Sequence, residues 1–173
     1  MIDPAAAEIA LLARLERLGI AYARHAHAPV FTVDEARALR GALPGGHAKN
    51  LFLKDKKDRL FLVVAEEEAA VDMKALERLL GAARLSFGRA ELMAEVLGVA
   101  PGSVTPFAAM NAAPGRLTVA LDRHLMGFDP VNFHPMRNDA TLALAPGDLV
   151  AFLASCGHVP VAVDFRQPSP API

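Results

Sequence analysis

Apolar and polar positions along this chain follow two periods, and the change from one to the other marks its elements. Ile9, Leu12, Leu15 and Leu18 recur at three-residue steps, with Leu11 beside them and charges opposite. That spacing predicts an amphipathic helix over 4–18, stopped at Gly19. Residues 20–25 suit a short strand, and Thr32 with Glu35 has the spacing of a capping box that opens a helix reaching about Arg40. The period shortens in the central stretch GGHAKNLFLKDKKDRLFLVV, residues 45–64. Two strands, 50–54 and 60–64, are predicted there, joined by a tight charged turn. After an acidic loop at 66–68, Met73, Leu76, Leu79 and Leu80 form a helical stripe ended by Gly81. Residues 84–87 then read as a strand and 89–97 as a helix ended by Gly98. Strands at 117–121, 142–144 and 161–165, with a helix over 149–155, complete the pattern, and the tail QPSPAPI from Gln167 is too rich in proline to pack.

Strands of mixed spacing separated by single helices argue for a compact α/β (α+β) domain with a mixed, largely antiparallel sheet. With 173 residues, 53% of them apolar, the chain can bury roughly two thirds of its unfolded surface in one core. One domain over 1–166 with a loose tail follows. The formal charge of −1 gives no global field toward a polyanion. A local patch of Lys54, Lys56, Lys57 and Arg59 is interleaved with Asp55 and Asp58, so it reads equally as a phosphate contact or as a solubilising turn. The single cysteine, Cys156, excludes an internal disulfide and a thiolate zinc cluster. Its apolar surroundings predict a buried, inert thiol. Glu8, Arg14, Glu16 and Arg17 interrupt the N-terminal apolar positions, and no apolar run approaches the eighteen or so residues of a membrane span. A soluble, cytoplasmic protein is expected.

Lys49 is the first candidate for chemistry. It follows the small-residue loop Gly45–Gly46 and precedes an apolar run that would hold it in place. A phosphate-binding Walker loop is excluded, because His47 follows the second glycine and the lysine comes two residues late. His25 and His27 can share one face of a strand, but no third ligand is near in sequence, so no metal is expected. Arg84 lies either at a strand's solvent edge or toward an anion. In GVAPGSVTPFAAMN, residues 98–111, Gly102 and Pro106 bracket a short segment in which Pro106 forces Thr105 into an extended conformation. Such a loop is either a structural turn or a source of outward N–H donors for an oxyanion, each worth roughly 3 kcal/mol. The densest polar cluster is DPVNFHPMRNDAT, 129–141, with His134, Arg137, Asn138 and Asp139. No Gly-x-Ser-x-Gly elbow is present.

Four blocks, HAPVFTVDEA at 27–36, GGHAKNLFLKDKK at 45–57, GSVTPF at 102–107 and FHPMRNDAT at 133–141, together resemble the YbaK and prolyl-tRNA-synthetase-associated editing domains. Within these, the free-standing bacterial prolyl-tRNA deacylases that remove mischarged alanine are most similar. The resemblance extends over about 20–165 and implies a curved, barrel-like sheet with helices outside. It implies hydrolysis of the ester of Ala-tRNA(Pro) without a protein nucleophile, assisted by the substrate's neighbouring ribose hydroxyl, and with no cofactor or metal. The implied partner is the acceptor end of mischarged tRNA(Pro), with prolyl-tRNA synthetase a candidate and no membrane or DNA. Carried over by residue, Lys49 contacts the terminal adenosine, and the loop containing Gly102, Thr105 and Pro106 lines the site that holds the ester. His134 shapes the amino-acid pocket, and Asn138 lies in the same wall. Apart from the resemblance, Asn50, beside Lys49, and Arg84, in its reading as an anion contact, are further candidates for substrate binding. The usual Thr-Ala-Thr after the asparagine begins here with Asp139, a departure that bears on the pocket's polarity. The competing reading is a non-catalytic nucleic-acid or nucleotide binding module that uses the 54–59 patch. Near-neutral charge and the lack of an aromatic platform count against it.

Overall fold

The computed structural model describes residues 2–166, and the proline-rich tail lies outside the described residues. Helix α1 (Pro4–Arg17) starts at Asp3, whose carboxylate accepts from Ala6 N, and buries Ala7, Leu11 and Leu15. Strand β1 (Tyr22–Ala26) leads to α2 (Val33–Ala42), where the capping box forms: Glu35 N donates to Thr32 Oγ1, and Thr32 N donates to the Glu35 carboxylate. The central hairpin is β2 (Gly46–Asp55) and β3 (Leu60–Glu66), longer at its open end than the apolar run alone suggested. Next come α3 (Met73–Leu80), β4 (Leu85–Phe87), α4 (Ala90–Leu97), β5 (Leu117–Asp122), β6 (Val131–Phe133), β7 (Ala140–Leu144), α5 (Pro146–Ser155) and β8 (Val161–Val163).

The strands form one mixed sheet in the order β1-β7-β6-β2-β3-β5-β8, with β4 paired to β2 off that path. Pairs β1–β7, β6–β7, β2–β3 and β2–β4 are antiparallel, while β2–β6, β3–β5 and β5–β8 are parallel. The expected mixed sheet is present and it stays open, ending at β1 and β8. Strand β2 bridges its two halves, with residues 46–47 beside β6 and 48–54 beside β3. The apolar run of the hairpin is continuous because both of its faces are covered. Phe52, Leu62 and Val64 face a core with Leu11, Val96, Phe107 and Phe152, whereas Leu53, Phe61 and Val63 face Leu76.

Three features differ from expectation. The glycine- and proline-rich segment ends in a buried 3-10 turn, Pro106–Asn111, capped by Thr105. Residues 131–133 form β6 rather than loop, a strand too short to show a period of its own. Cys156 caps the end of α5 and is half-buried, not enclosed, with its Sγ accepting from Arg14 Nη1 at 3.2 Å. Among the described residues, no helix is long and apolar enough to cross a membrane.

The hairpin turn is organised on a buried carboxylate. Asp55 is 1% exposed and accepts from the N–H groups of Lys57, Arg59 and Ala83 and from the Arg59 guanidinium. Burial alone would raise its pKa, but these donors outweigh that and hold it at about 2. Because the folded value lies below the unfolded one, the stabilisation is complete above pH ~4 and is lost as pH falls toward 2. Urea denaturation should show wild type losing stability across that window. Asp55→Asn should start less stable at neutral pH and vary less; parallel profiles for the two proteins would contradict this account.

Candidate active site

Strand β2 enters the sheet beside β6 with almost no clearance. Gly46 N donates to Pro130 O at 2.9 Å, and His47 stands in register with Asn132. Where β2 leaves β6 for β3, the sheet, α2 and the segment before it enclose a cavity of about 80 Å3. Val30, Ala36, Leu39 and Phe133 supply its apolar wall, and His47, Asn50, Glu67, Asn132, His134 and Thr141 supply the polar one. This is a space for a small group with both an apolar and a polar end.

The polar wall is held by backbone. His134 Nδ1 lies 3.2 Å from Ala140 O, and since a carbonyl can only accept, that nitrogen carries the proton. Burial pushes the His134 pKa down, the Ala140 contact opposes this more weakly, and neighbouring His27 adds to the depression. A neutral ring with a bare Nε2 results. His47 Nε2 donates to Leu43 O at 2.8 Å, and His27 Nε2 lies 2.9 Å from Thr141 Oγ1. Asn132 donates from Nδ2 to Pro44 O and Gly46 O at 3.0 and 3.1 Å. Its Oδ1 and that of Asn50 are buried without a hydrogen-bond partner.

Residues 27–152 match the aminoacyl-tRNA editing domain. This chain belongs to that family. It is 40% identical over 153 residues to prolyl-tRNA synthetase associated domain-containing protein 1 of Danio rerio, covering 87% of this chain and 83% of the relative. It is 33% identical over 160 residues to the prolyl-tRNA editing protein ProX of Acetoanaerobium sticklandii, covering 92% and 98%. A crystal structure described provisionally as a trans-editing enzyme for prolyl tRNA synthetase shares the fold, with a TM-score of 0.70, 22% identity, and 97% of this chain and all of that one covered.

In this editing domain the residues expected from sequence are dispersed. Asn50 and His134 line the cavity. Asn138 adjoins it, its carbonyl accepting from Val30 N at 3.2 Å. Lys49 points away from Asn50, as neighbours in a strand must, and donates to Ala69 O in the segment that carries Glu67. Thr105 and Pro106 are buried, with Thr105 Oγ1 accepting from Phe107 N, while Gly102 is exposed with φ +90°. That loop stands one layer behind the cavity, because Phe107 packs edge-to-face on Phe133 with ring centres 5.9 Å apart. Arg84 is exposed, just before the Leu85 that pairs with Asp55. Five residues of strand separate Asp55 from Asn50, roughly 17 Å, so Arg84 is not brought to the cavity. Asp139 is turned onto Arg137, with Arg137 Nη2 to Oδ2 at 2.8 Å, and does not line the cavity. The 54–59 cations are partly spent within the turn, Lys54 on Asp58 at 2.8 Å and Arg59 on Asp55 at 2.7 Å. Among the described residues, no group of three or more His, Cys, Asp or Glu could hold a metal ion.

His47, Glu67, Asn132 and Thr141 are the site residues that sequence reasoning missed. Only Asn132 carried a signal: an amide set between Val131 and Phe133, where a buried strand disfavours it unless it is bonded.

Proposed function

We propose that this protein is a trans-editing deacylase that hydrolyses the ester of mischarged Ala-tRNA(Pro). The observation that carries the reading is the cavity, about 80 Å3 and walled by Val30, Ala36, Leu39 and Phe133, in a chain of the editing-domain family. Its apolar wall suits an aliphatic side chain as small as a methyl. The name of one relative, a prolyl-tRNA editing protein, supports a prolyl-tRNA substrate. In the reaction, a water oxygen adds to the ester carbonyl and the tetrahedral intermediate breaks its bond to the terminal ribose. The ribose oxygen takes the proton, and alanine and tRNA leave. Neither serine nor cysteine lines the cavity, and an aminoacyl ester needs positioning more than a protein nucleophile.

In this reading Lys49 anchors the terminal adenosine at the cavity's edge, next to the Ala69 segment. The loop from Gly102 to Pro106 acts from behind the wall, where buried Thr105 and Pro106 are positioning residues that hold Phe107 against Phe133, and His134 and Asn138 form the amino-acid wall. The partners are the acceptor end of tRNA(Pro) and, in the cytoplasm, prolyl-tRNA synthetase. The test compares deacylation of alanyl-, prolyl- and cysteinyl-tRNA(Pro) by wild type and Lys49→Ala. Wild type should cleave the alanyl ester selectively, and the variant should lose at least about tenfold in kcat/KM. If no ester is cleaved faster than in buffer, the deacylase reading fails and a binding module takes its place.

A further inference from the structure

We propose that Thr141 and His27 form a proton relay for the deacylation, in which Thr141 Oγ1 takes a proton from the attacking water while passing its own to His27 Nε2. This deepens the deacylase reading and rests on it.

The tautomer of His27 sets the direction of the relay. Its Nδ1 lies 2.8 Å from Ala28 O, and a carbonyl only accepts, so Nδ1 carries the proton. Nε2 of the neutral ring is then an acceptor, and the Thr141 hydroxyl, 2.9 Å away, donates to it. The residue is also fixed through its backbone: His27 N donates to Asp139 O at 3.1 Å, which clamps it beside the start of β7. A hydroxyl in hydrogen-bond reach of an imidazole that a third group orients is the arrangement that activates an oxygen for proton transfer. Thr141 lines the cavity and is 3% exposed. Donating its proton to His27 leaves the hydroxyl oxygen its lone pairs, free to accept another from a water in the cavity. His27 is only half-buried and stands outside the lining, so the pair leads from the enclosed site toward solvent. His134 also lines the cavity with a bare Nε2, but burial pushes its pKa down, which suits a wall better than a base. Its ring centre is 6.4 Å from that of His27, and while it stays neutral it does not oppose a positive charge there.

In the first half of the reaction the water oxygen bonds to the ester carbon. One water proton moves to Thr141 Oγ1 as the Thr141 proton moves to His27 Nε2, so Thr141 stays neutral and His27 becomes an imidazolium. When the bond from that carbon to the ribose oxygen breaks, both transfers reverse and the ribose oxygen takes the proton. No acyl-threonine forms. Thr141 touches the reacting water and is a catalytic residue, whereas His27 acts through it as a positioning residue and proton store.

The experiment measures kcat and KM on alanyl-tRNA(Pro) for wild type, Thr141→Val, Thr141→Ser, His27→Ala and the double variant that combines Thr141→Val with His27→Ala. Thr141→Val keeps the shape and removes the hydroxyl, and it should lower kcat by about 100-fold with KM within about threefold. Thr141→Ser, which keeps a hydroxyl, should regain at least about tenfold of that loss. His27→Ala should lower kcat by a similar factor. The double variant should fall no more than about threefold below either single one, because each removes the same relay. Added imidazole, corrected for its own attack on the ester, should raise His27→Ala by at least about tenfold and leave Thr141→Val without a response. A merely structural ring gives no such rescue. If Thr141→Val fails to fold, the imidazole response of His27→Ala decides alone. Thr141→Val with kcat within about threefold of wild type, losses that multiply in the double variant, or no rescue by imidazole overturns the relay and leaves the deacylase reading standing. If wild type cleaves no ester faster than in buffer, that reading and the relay fall together.

Discussion

Gly45→Ala should destabilise the protein by about 3 kcal/mol or more, enough to move its urea midpoint by a molar unit or leave it unfolded. Gly45 has φ +105°, a conformation closed to residues with a Cβ. A Cβ built there would also lie 2.1 Å from Pro130 O. That obstacle is backbone, so no side chain can swing aside, and the same oxygen accepts the Gly46 N–H that starts the β2–β6 pairing. Either the carbonyl or the entry to β2 must move, and both position His47 and Asn132. Surviving folded protein should therefore also edit poorly. Gly41→Ala is the control. Gly41 lies within α2 with nothing inside 4 Å of the added carbon, so that change should stabilise by about 0.5–1 kcal/mol. A Gly45→Ala protein with the wild-type midpoint would show that the approach to Pro130 is not as close as described.

Glu8→Gln should cost about 2–3 kcal/mol at neutral pH. Glu8 is 6% exposed and accepts from Arg24 Nε at 2.5 Å and Arg137 Nη1 at 3.0 Å, and Arg137 continues to Asp139. Helix α1 is tied in this way to β1 and to the 134–139 segment that carries His134 and Asn138. Removing the central charge leaves Arg24 without this partner and Arg137 with Asp139 alone. The two arginines are partly exposed, which keeps the loss below that of a fully buried pair. Burial raises the Glu8 pKa, but the two guanidiniums outweigh it and hold the group below the usual carboxylate range. Its stabilisation is thus present above pH ~4.5 and lost as pH falls through the depressed value, so the gap between wild type and Glu8→Gln should narrow in acid. Urea titrations at neutral pH and near pH 3 measure this. A gap under about 0.5 kcal/mol at neutral pH, or one that widens in acid, would refute the bridge.

Local signals carried much of the fold. The Thr32–Glu35 box and the stops at Gly19, Gly81 and Gly98 act within one turn of helix, so neighbouring residues suffice to specify them. The stripes gave α1 and α3 as helices but not their buried faces: Ala7, Leu11 and Leu15 turn inward in α1 and Leu76 in α3, while Ile9, Leu18 and Leu79 are exposed. The hairpin of β2 and β3 was legible for the same reason, its turn being closed by Asp55 and its own neighbours. The site was legible only in part. His134 and Asn50 stand in motifs that announce them, while His47 and Thr141 look like ordinary residues until β2, β6 and β7 are set side by side.

The sequence by itself determined the helices, the central hairpin, the family and the two blocks that carry Asn50 and His134. Only the tertiary structure decided the strand order, the parallel pairings of β2 with β6 and of β3 with β5, and the placing of Arg84 and the Gly102–Pro106 loop outside the cavity wall. It also decided that the oxygens of Asn50 and Asn132, 82 positions apart in the chain, stand unpaired on one cavity. Helix stripes, caps and tight turns draw their free energy from contacts a few residues apart and so leave a periodic trace in the chain. Pairings between distant strands, and the acceptors left over when those strands meet, depend on which segments the core brings together, which no local pattern encodes.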